Sequence, residues 1–375
     1  MIRNDHQRQR ARAPLLRREF SERTRAGLSL LELIVVMGII GLLVSLSLPA
    51  VTRSRQAARR LQCQNNLRQI GLALLQTTDV AGRFPACGNF GHDGNHHSWV
   101  VDVLPWLDQS TIASQWDKDK PIDDPVNAPL AALFVPILTC PSDISVTMST
   151  SKKTARGDLS YVVNGGVGFT VERSPGQHDC PIDPKGRTLD LNGNGVLCPQ
   201  PPDLETDGSP SDRDQFFRMG LFFNETWKWE VTVRHHRPAT IVDGMSQTFL
   251  ISENVRTGHD PKNPEATWAS PNPYLTSFYI GDPCPDGKCL PGTVDYQRCN
   301  AGESAINRGL DQPEGSAPYP SSFHEGGVNM TFCDGRVVPL SQNIDGGVYA
   351  ALASPAGSLL TETPLQQTVN VDLNF

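Results

Sequence analysis

The stretch Arg23–Ala50, RTRAGLSLLELIVVMGIIGLLVSLSLPA, decides how the rest of the chain is read. From Leu28 to Leu48 it is apolar except for Glu32 and a few small hydroxyl residues. As a helix rising about 1.5 Å per residue, the run is roughly 30 Å long, the thickness of a bilayer core. A secretory signal peptide has a shorter apolar part and ends in a small-residue cleavage site. Here Pro49 follows and helical patterning continues beyond it. Leu67, Ile70, Gly71 and Leu74 recur at i, i+3, i+4 and i+7, while Arg53, Arg55, Arg59, Arg60 and Arg68 mark the other face. The pattern predicts one long helix over 28–78 that starts in a membrane and emerges amphipathic, with Pro49 kinking it near the surface.

Charge supports this direction. Residues 1–27 carry eight arginines against Asp5, Glu19 and Glu22, a net +5, whereas the whole chain of 375 residues has −7. A basic head before an apolar span is held on the cytoplasmic side, which places the acidic remainder outside. That remainder argues against nucleic-acid binding. With 32 Gly and 30 Pro, turns are dense, so short strands and long connections are expected rather than a helical bundle.

Past Asp79 the head, 79–375, is read as α+β. A short apolar helix is expected near Trp99–Leu107. Strands are expected in LFVPILTCPSD, LSYVVNGGVGF, MGLFFNETWKWEVTV and QTFLISENV. Residues 172–215 and 257–320 lack periodic apolar pattern and read as loop insertions. In SSFHEGGVNMTFCDGRVVPLSQNI, Val328, Met330 and Phe332 alternate with polar neighbours as in a half-buried strand. Asp334-Gly335 then predicts a hairpin in which both turn residues tolerate positive φ.

Nine cysteines, Cys63, Cys87, Cys140, Cys180, Cys198, Cys284, Cys289, Cys299 and Cys333, suit an exported body whose long loops are stapled by disulfides. The spacing of Cys284, Cys289 and Cys299 lacks the C-x2-C pairs of a zinc site. Asp190, Asn192 and Asn194, with Gly195, match the opening of a calcium loop. Pro201 stands where the twelfth-position Glu belongs, and no helix pattern flanks the loop. An Asn/Gly surface turn, braced by Cys180–Cys198, is the other reading. No further cofactor is indicated. His324 has no serine or cysteine nucleophile at a recognisable elbow and no zinc-protease motif beside it. It is read as a structural residue bonding a loop to the hairpin, with Asp243-Gly244 and Glu253 as a second motif near it. His92, His96, His97, His235 and His236 read as loop histidines. No enzyme is expected.

Two resemblances add to this. The basic leader ending in Gly27, the apolar Leu28 after it, Glu32 at the fifth position and Pro49 at the twenty-second resemble a type IV prepilin leader and helix. Leu28 departs from the usual Phe. The resemblance implies cleavage after Gly27 by a prepilin peptidase, methylation of the new amino terminus, and a type IV pilin-like or pseudopilin fold. In that fold the helix packs on a head with an antiparallel sheet. It also implies a subunit of the cytoplasmic membrane that assembles with other pilin-like subunits in a pilus or a type II secretion-like pseudopilus. Glu32 would pair with the amino terminus of a neighbouring subunit and so favour one register, a role single buried polar groups can have. The remainder resembles the DUF1559 family, which carries an H-x9-DG element. The pieces are AARRLQCQNNLRQIGLALLQ, GRFPACG, SWVVDVLPWLDQ, LTCPSD, ATIVDGMSQTFLISEN and SFHEGGVNMTFCDGRVVPLS, with His324, Asp334 and Gly335 giving the spacing. A membrane-tethered module binding a solute or carbohydrate is the alternative function.

Overall fold

The computed structural model describes residues 29–91, 94–144, 157–171, 180–193, 211–226, 235–257, 266–281, 283–284, 294–313, 315–360 and 365. Gly27 and Leu28 lie outside them, as do His92, Asn194, Gly195, Cys198 and Cys289.

Leu30–Ala81 forms one helix, α1, of 52 residues that runs through Pro49. Its N-terminal part is long and apolar enough to cross a membrane, with a mean hydropathy of 2.5 over an 18-residue window. Those side chains are exposed: Leu30, Ile34, Met37, Leu42, Leu46 and Leu48 are all more than half accessible. Ser45 and Ser47 return their hydroxyl protons to Leu42 O and Leu43 O, so the small polar residues in the apolar run are satisfied within the helix. The end of α1 follows from Gly82, which takes φ +69 as a left-handed C-cap. The chain divides into two compact units, Met1–Ser54 and Arg55–Phe375.

In the second unit α1 is amphipathic as its spacing predicts. Cys63, Asn66, Leu67, Ile70, Gly71, Ala73, Leu74 and Thr78 are its buried residues. They lie on a five-stranded sheet. The strands of the head are β1 (Gly88–Gly91), β2 (Gly94–Ser98), β3 (Tyr161–Asn164), β4 (Phe169–Val171), β5 (Cys180–Ile182), β6 (Glu225–Thr226), β7 (Phe249–Glu253), β8 (Ser277–Phe278), β9 (Gly327–Phe332) and β10 (Val337–Ser341). The main sheet has the order β10-β9-β7-β3-β8. It is antiparallel from β10 to β3, and β8 adds in parallel at the far edge. The head is therefore α+β with a mixed sheet.

Both faces of that sheet are covered. Tyr161, Val163 and Ile251 join Leu67, Ile70 and Leu74 in one core; Val162, Phe249, Val328, Met330 and Phe332 join Phe216, Tyr349 and Leu352 in another. This corrects the half-buried reading of β9, all six residues of which are buried. Its polar residues Asn329 and Thr331 face α1, not water. Gly71 allows that approach: a Cβ there would meet Thr331 Cγ2 at 2.9 Å. A Gly71→Val substitution overpacks the contact against a stiff β-branched neighbour. It is expected to lower the stability of the head by roughly 1–3 kcal/mol in a urea titration. Gly41→Val, where no atom lies within 4 Å, leaves the transition of the head in place.

Other expectations need correcting. LFVPILTCPSD holds no strand; Pro136–Leu138 is a 3-10 turn, because Pro136 fixes φ at its first position and offers no N–H to a ladder. Asp334 does not take positive φ. Gly335 alone does, at +84, with its N–H on Phe332 O, giving a three-residue hairpin loop instead of a two-residue turn. The stretch 172–215 contains β5 and the start of a helix, Asp212–Met219, and buries Leu189 and Leu191 in the core. Ser211 caps that helix by accepting from Asp214 N, with Asp212 and Asp214 in its first turn. The helix claims Met219, the first residue of the expected strand MGLFFNETWKWEVTV, and within that stretch only Glu225–Thr226 pairs as a strand among the described residues.

Candidate functional site

Where α1 first becomes buried, the sheet presents a polar row. Register places Tyr161 of β3 opposite Glu253 of β7, and Asn329 of β9 lies on the next strand. All three are inaccessible. Asn329 donates twice to Glu253, from its backbone N to Oε2 at 2.8 Å and from Nδ2 to Oε1 at 3.0 Å. Gln64 on α1 holds Asn329 in place, Nε2 donating to Oδ1 at 2.9 Å. The third donor to Glu253 is His324, whose Nε2 lies 3.1 Å from Oε1. Donation to a carboxylate requires a proton on that nitrogen. The turn before β9 positions this ring: Ser322 Oγ accepts from His324 N and donates to Gly327 O.

A disulfide, Cys63–Cys140, abuts this pair and ties α1 to the segment after the 3-10 turn. Cys140 Sγ is 3.6 Å from His324 Nε2 and 3.8 Å from Glu253 Oε1. Asn66 reinforces the tie by donating to Thr139 O at 3.1 Å. Burial, helped by the negative charge of Glu253, pushes the Tyr161 phenol well above its ordinary value. Four separate pieces of sequence, QCQNN, LTCPSD, LISEN and SFHEGGVN, thus meet at one buried place.

Residues 52–347 match a family described as a protein of unknown function, DUF1559. The chain belongs to the DUF1559 family. No curated protein and no solved structure matches it.

The DUF1559 motif residues divide in two. His324 is at the buried cluster, bonded to Glu253 and not to the hairpin. Asp334 and Gly335 form the hairpin turn, where Asp334 accepts from Arg336 N. Asp243 accepts from Ser358 N. Sequence reasoning named Glu253 and His324 together but missed Asn329, Tyr161 and the pairing of Cys63 with Cys140. This bond, which no expectation named, ties a helix to a loop over a separation of 77 residues. Cys284 is also disulfide-bonded, while Cys87 and Cys333 are buried thiols.

At the expected calcium loop, Asp190 and Asn192 are buried. Asp212 Oδ1 accepts from Leu191 N at 2.6 Å and Asn192 N at 3.0 Å, so a carboxylate outside the motif fixes the turn.

The other described histidines make separate hydrogen bonds, although Glu225 interacts with both His235 and His97. His236 bridges Phe217 O and Thr240 Oγ1. His235 lies 3.7 Å from Glu225, and His96 bonds Lys118 O. His97 is buried, bonded to Asn89, and its pKa is pushed down to about 4 by burial against the opposing pull of Asp102; Lys118 and His96 add to the depression, and Glu225 opposes it. A lowered folded pKa means that the unfolded chain binds the proton first. Stability should therefore fall as pH drops from about 6.5 toward 4, by up to roughly 3 kcal/mol at about 1.36 kcal/mol per pH unit. His97→Gln should flatten that part of the urea-stability profile.

Proposed function

We propose that this DUF1559 protein is a prepilin-like or pseudopilin-like structural subunit, anchored in the cytoplasmic membrane with its leader inside and its head outside. The observation that carries the reading is α1 itself. One helix leaves an apolar, exposed face over Leu30–Leu48 and, farther along, supplies Leu67, Ile70 and Leu74 to the core of the head. Prepilin peptidase would cut between Gly27 and Leu28, and other pilin-like subunits would pack along the apolar half. The role is structural, not catalytic.

Glu32 has a local role that the sequence also spells. Ser29-x-x-Glu32 is a capping-box pattern, and Ser29 N donates to Glu32 Oε2 at 3.0 Å. In an assembly the same carboxylate would face the charged amino terminus of a neighbour. Glu32→Gln keeps an acceptor for the cap and removes the charge. It should be processed normally yet fail to enter filaments or pseudopili; normal incorporation would refute the charge-pairing role. Terminal mass analysis of the native membrane fraction should find methylated Leu28, and an intact leader in cells with active peptidase would overturn the processing claim.

A cleft of about 490 Å³ in the head favours a second reading, a tethered module for a solute or carbohydrate. Arg83, Arg218, Arg237, His235 and His236 line it, with Asp214. Three arginines in one cleft of an acidic head fit a carboxylated sugar. Such a ligand should raise the melting temperature of the wild type but not of Arg237→Ala.

A further inference from the structure

A disulfide is an uncharged group with no need of polar partners, yet this one is surrounded by them. Glu253 and His324 direct Oε1 and Nε2 at Cys140 Sγ from 3.8 and 3.6 Å. One donor atom from each of Cys63, Cys140, Glu253 and His324 lies within 4.8 Å of the other three, and all four residues are buried. Two sulfurs, an imidazole and a carboxylate are a donor set for a tetrahedral zinc-type ion. Outer-shell groups that would orient such ligands are already in place: Asn329 holds both oxygens of Glu253, Gln64 holds Asn329, and Ser322 fixes the His324 backbone.

We infer that the dithiol form of the Cys63–Cys140 pair, with His324 and Glu253, is a buried site for one divalent zinc-type cation, so that disulfide and metal are alternative states of one site. The interconversion balances. A dithiol reductant transfers two electrons and two protons to the disulfide, breaking the S–S bond, leaving two thiols and itself becoming a disulfide. The cation then displaces both thiol protons and forms two metal–sulfur bonds. His324 Nε2 gives up its proton as it turns from donor to ligand, and Nδ1 takes up a proton in exchange, so the imidazole binds as the neutral tautomer. Glu253 exchanges that hydrogen bond for the metal and keeps its two bonds to Asn329. Two thiolates and a carboxylate offset the cation's charge inside the core, where an unpaired ion would be disfavoured. A disulfide oxidant takes two electrons from the two thiolates and two protons from solvent, becoming a dithiol itself, which returns the Cys63–Cys140 bond and releases the cation.

The test uses the full chain in detergent, denatured, reduced with a phosphine, and refolded without oxygen. Thiol counting confirms that Cys63 and Cys140 are reduced, and circular dichroism confirms refolding. Cobalt(II) is then added as the spectroscopic probe and zinc as the competitor. The expected result is one cobalt per chain, with sulfur-to-cobalt charge-transfer and tetrahedral visible bands that disappear with zinc and on reoxidation. Cys63→Ser and His324→Ala should each weaken binding at least tenfold, and Glu253→Gln should weaken it while retaining the fold, since Gln keeps an acceptor for Asn329. A refolded, fully reduced chain that takes up no cobalt would overturn the inference. So would cobalt binding unchanged in Cys63→Ser, which would place the metal on the other thiols.

Discussion

Replacing Glu253 with alanine is expected to destabilise the head by about 3–5 kcal/mol, since each buried donor left without its acceptor costs about 1–3 kcal/mol. Three donors lose their acceptor at once: Asn329 N, Asn329 Nδ2 and His324 Nε2. None can turn to water, because Asn329 has no accessible surface and the His324 side chain is only 4% exposed. For a unit of this size a loss of that order lowers Tm by on the order of 10 °C. Glu253→Gln retains an acceptor and should cost less, about 1–3 kcal/mol. The measurement is thermal unfolding of the full chain followed by circular dichroism. Equal melting of Glu253→Ala and wild type would mean that the carboxylate does not organise these strands.

The second large effect is expected from the Cys63→Ala, Cys140→Ala double substitution. Closing a loop of 77 residues restricts the unfolded chain enough to contribute about 4 kcal/mol in the chain-entropy account. The loss should appear as a lower urea midpoint with a larger m-value, since the unfolded chain is no longer cross-linked. Phosphine reduction of the wild type, with metal excluded, should lower the midpoint at least as far, because it also opens the disulfide of Cys284. An unchanged midpoint after both treatments would show that the cross-link adds nothing to the packing around it. Zinc added to the reduced wild type should recover part of the loss and do nothing for the double variant, which ties this measurement to the proposed metal site.

The parts of the fold visible in the sequence are those encoded by neighbours. The membrane-length half of α1 is a matter of hydropathy, its other half of 3.6-residue spacing, and the β9–β10 hairpin of Asp334-Gly335 between β-rich runs. Misreadings arose where apolar residues lacked a period. Phe216, Phe217 and Met219 belong to a helix whose real signal is the Ser211 cap, and Pro136 turns an apolar run into a 3-10 turn. The site was legible in fragments. His324 and Glu253 were both conspicuous, but the hydrogen bond between them joins residues 71 apart. The Cys63–Cys140 bond has no local signature at all, since nine cysteines allow many pairings. Asn329 was hidden for another reason: polar residues alternating with Val328 and Met330 suggest a wet face, and only the helix laid over that face makes it dry.

The cross-link also has a mechanical meaning. Cys63 is the first side chain of α1 to be fully buried, so a pull arriving along the helix from its N-terminal half meets a covalent bond at the first buried position. Through Cys140 the tension passes to the adjoining segment, where Ser160 N bonds Leu138 O, and so to Tyr161 and β3, a strand with a neighbour on each side. The hairpin at the opposite edge of the sheet is bypassed. If the bond is opened, the same pull falls on the Gln64–Asn329 and Asn66–Thr139 hydrogen bonds and on dispersion contacts. The redox state of one cysteine pair would then set the force at which the buried part of α1 peels from the sheet.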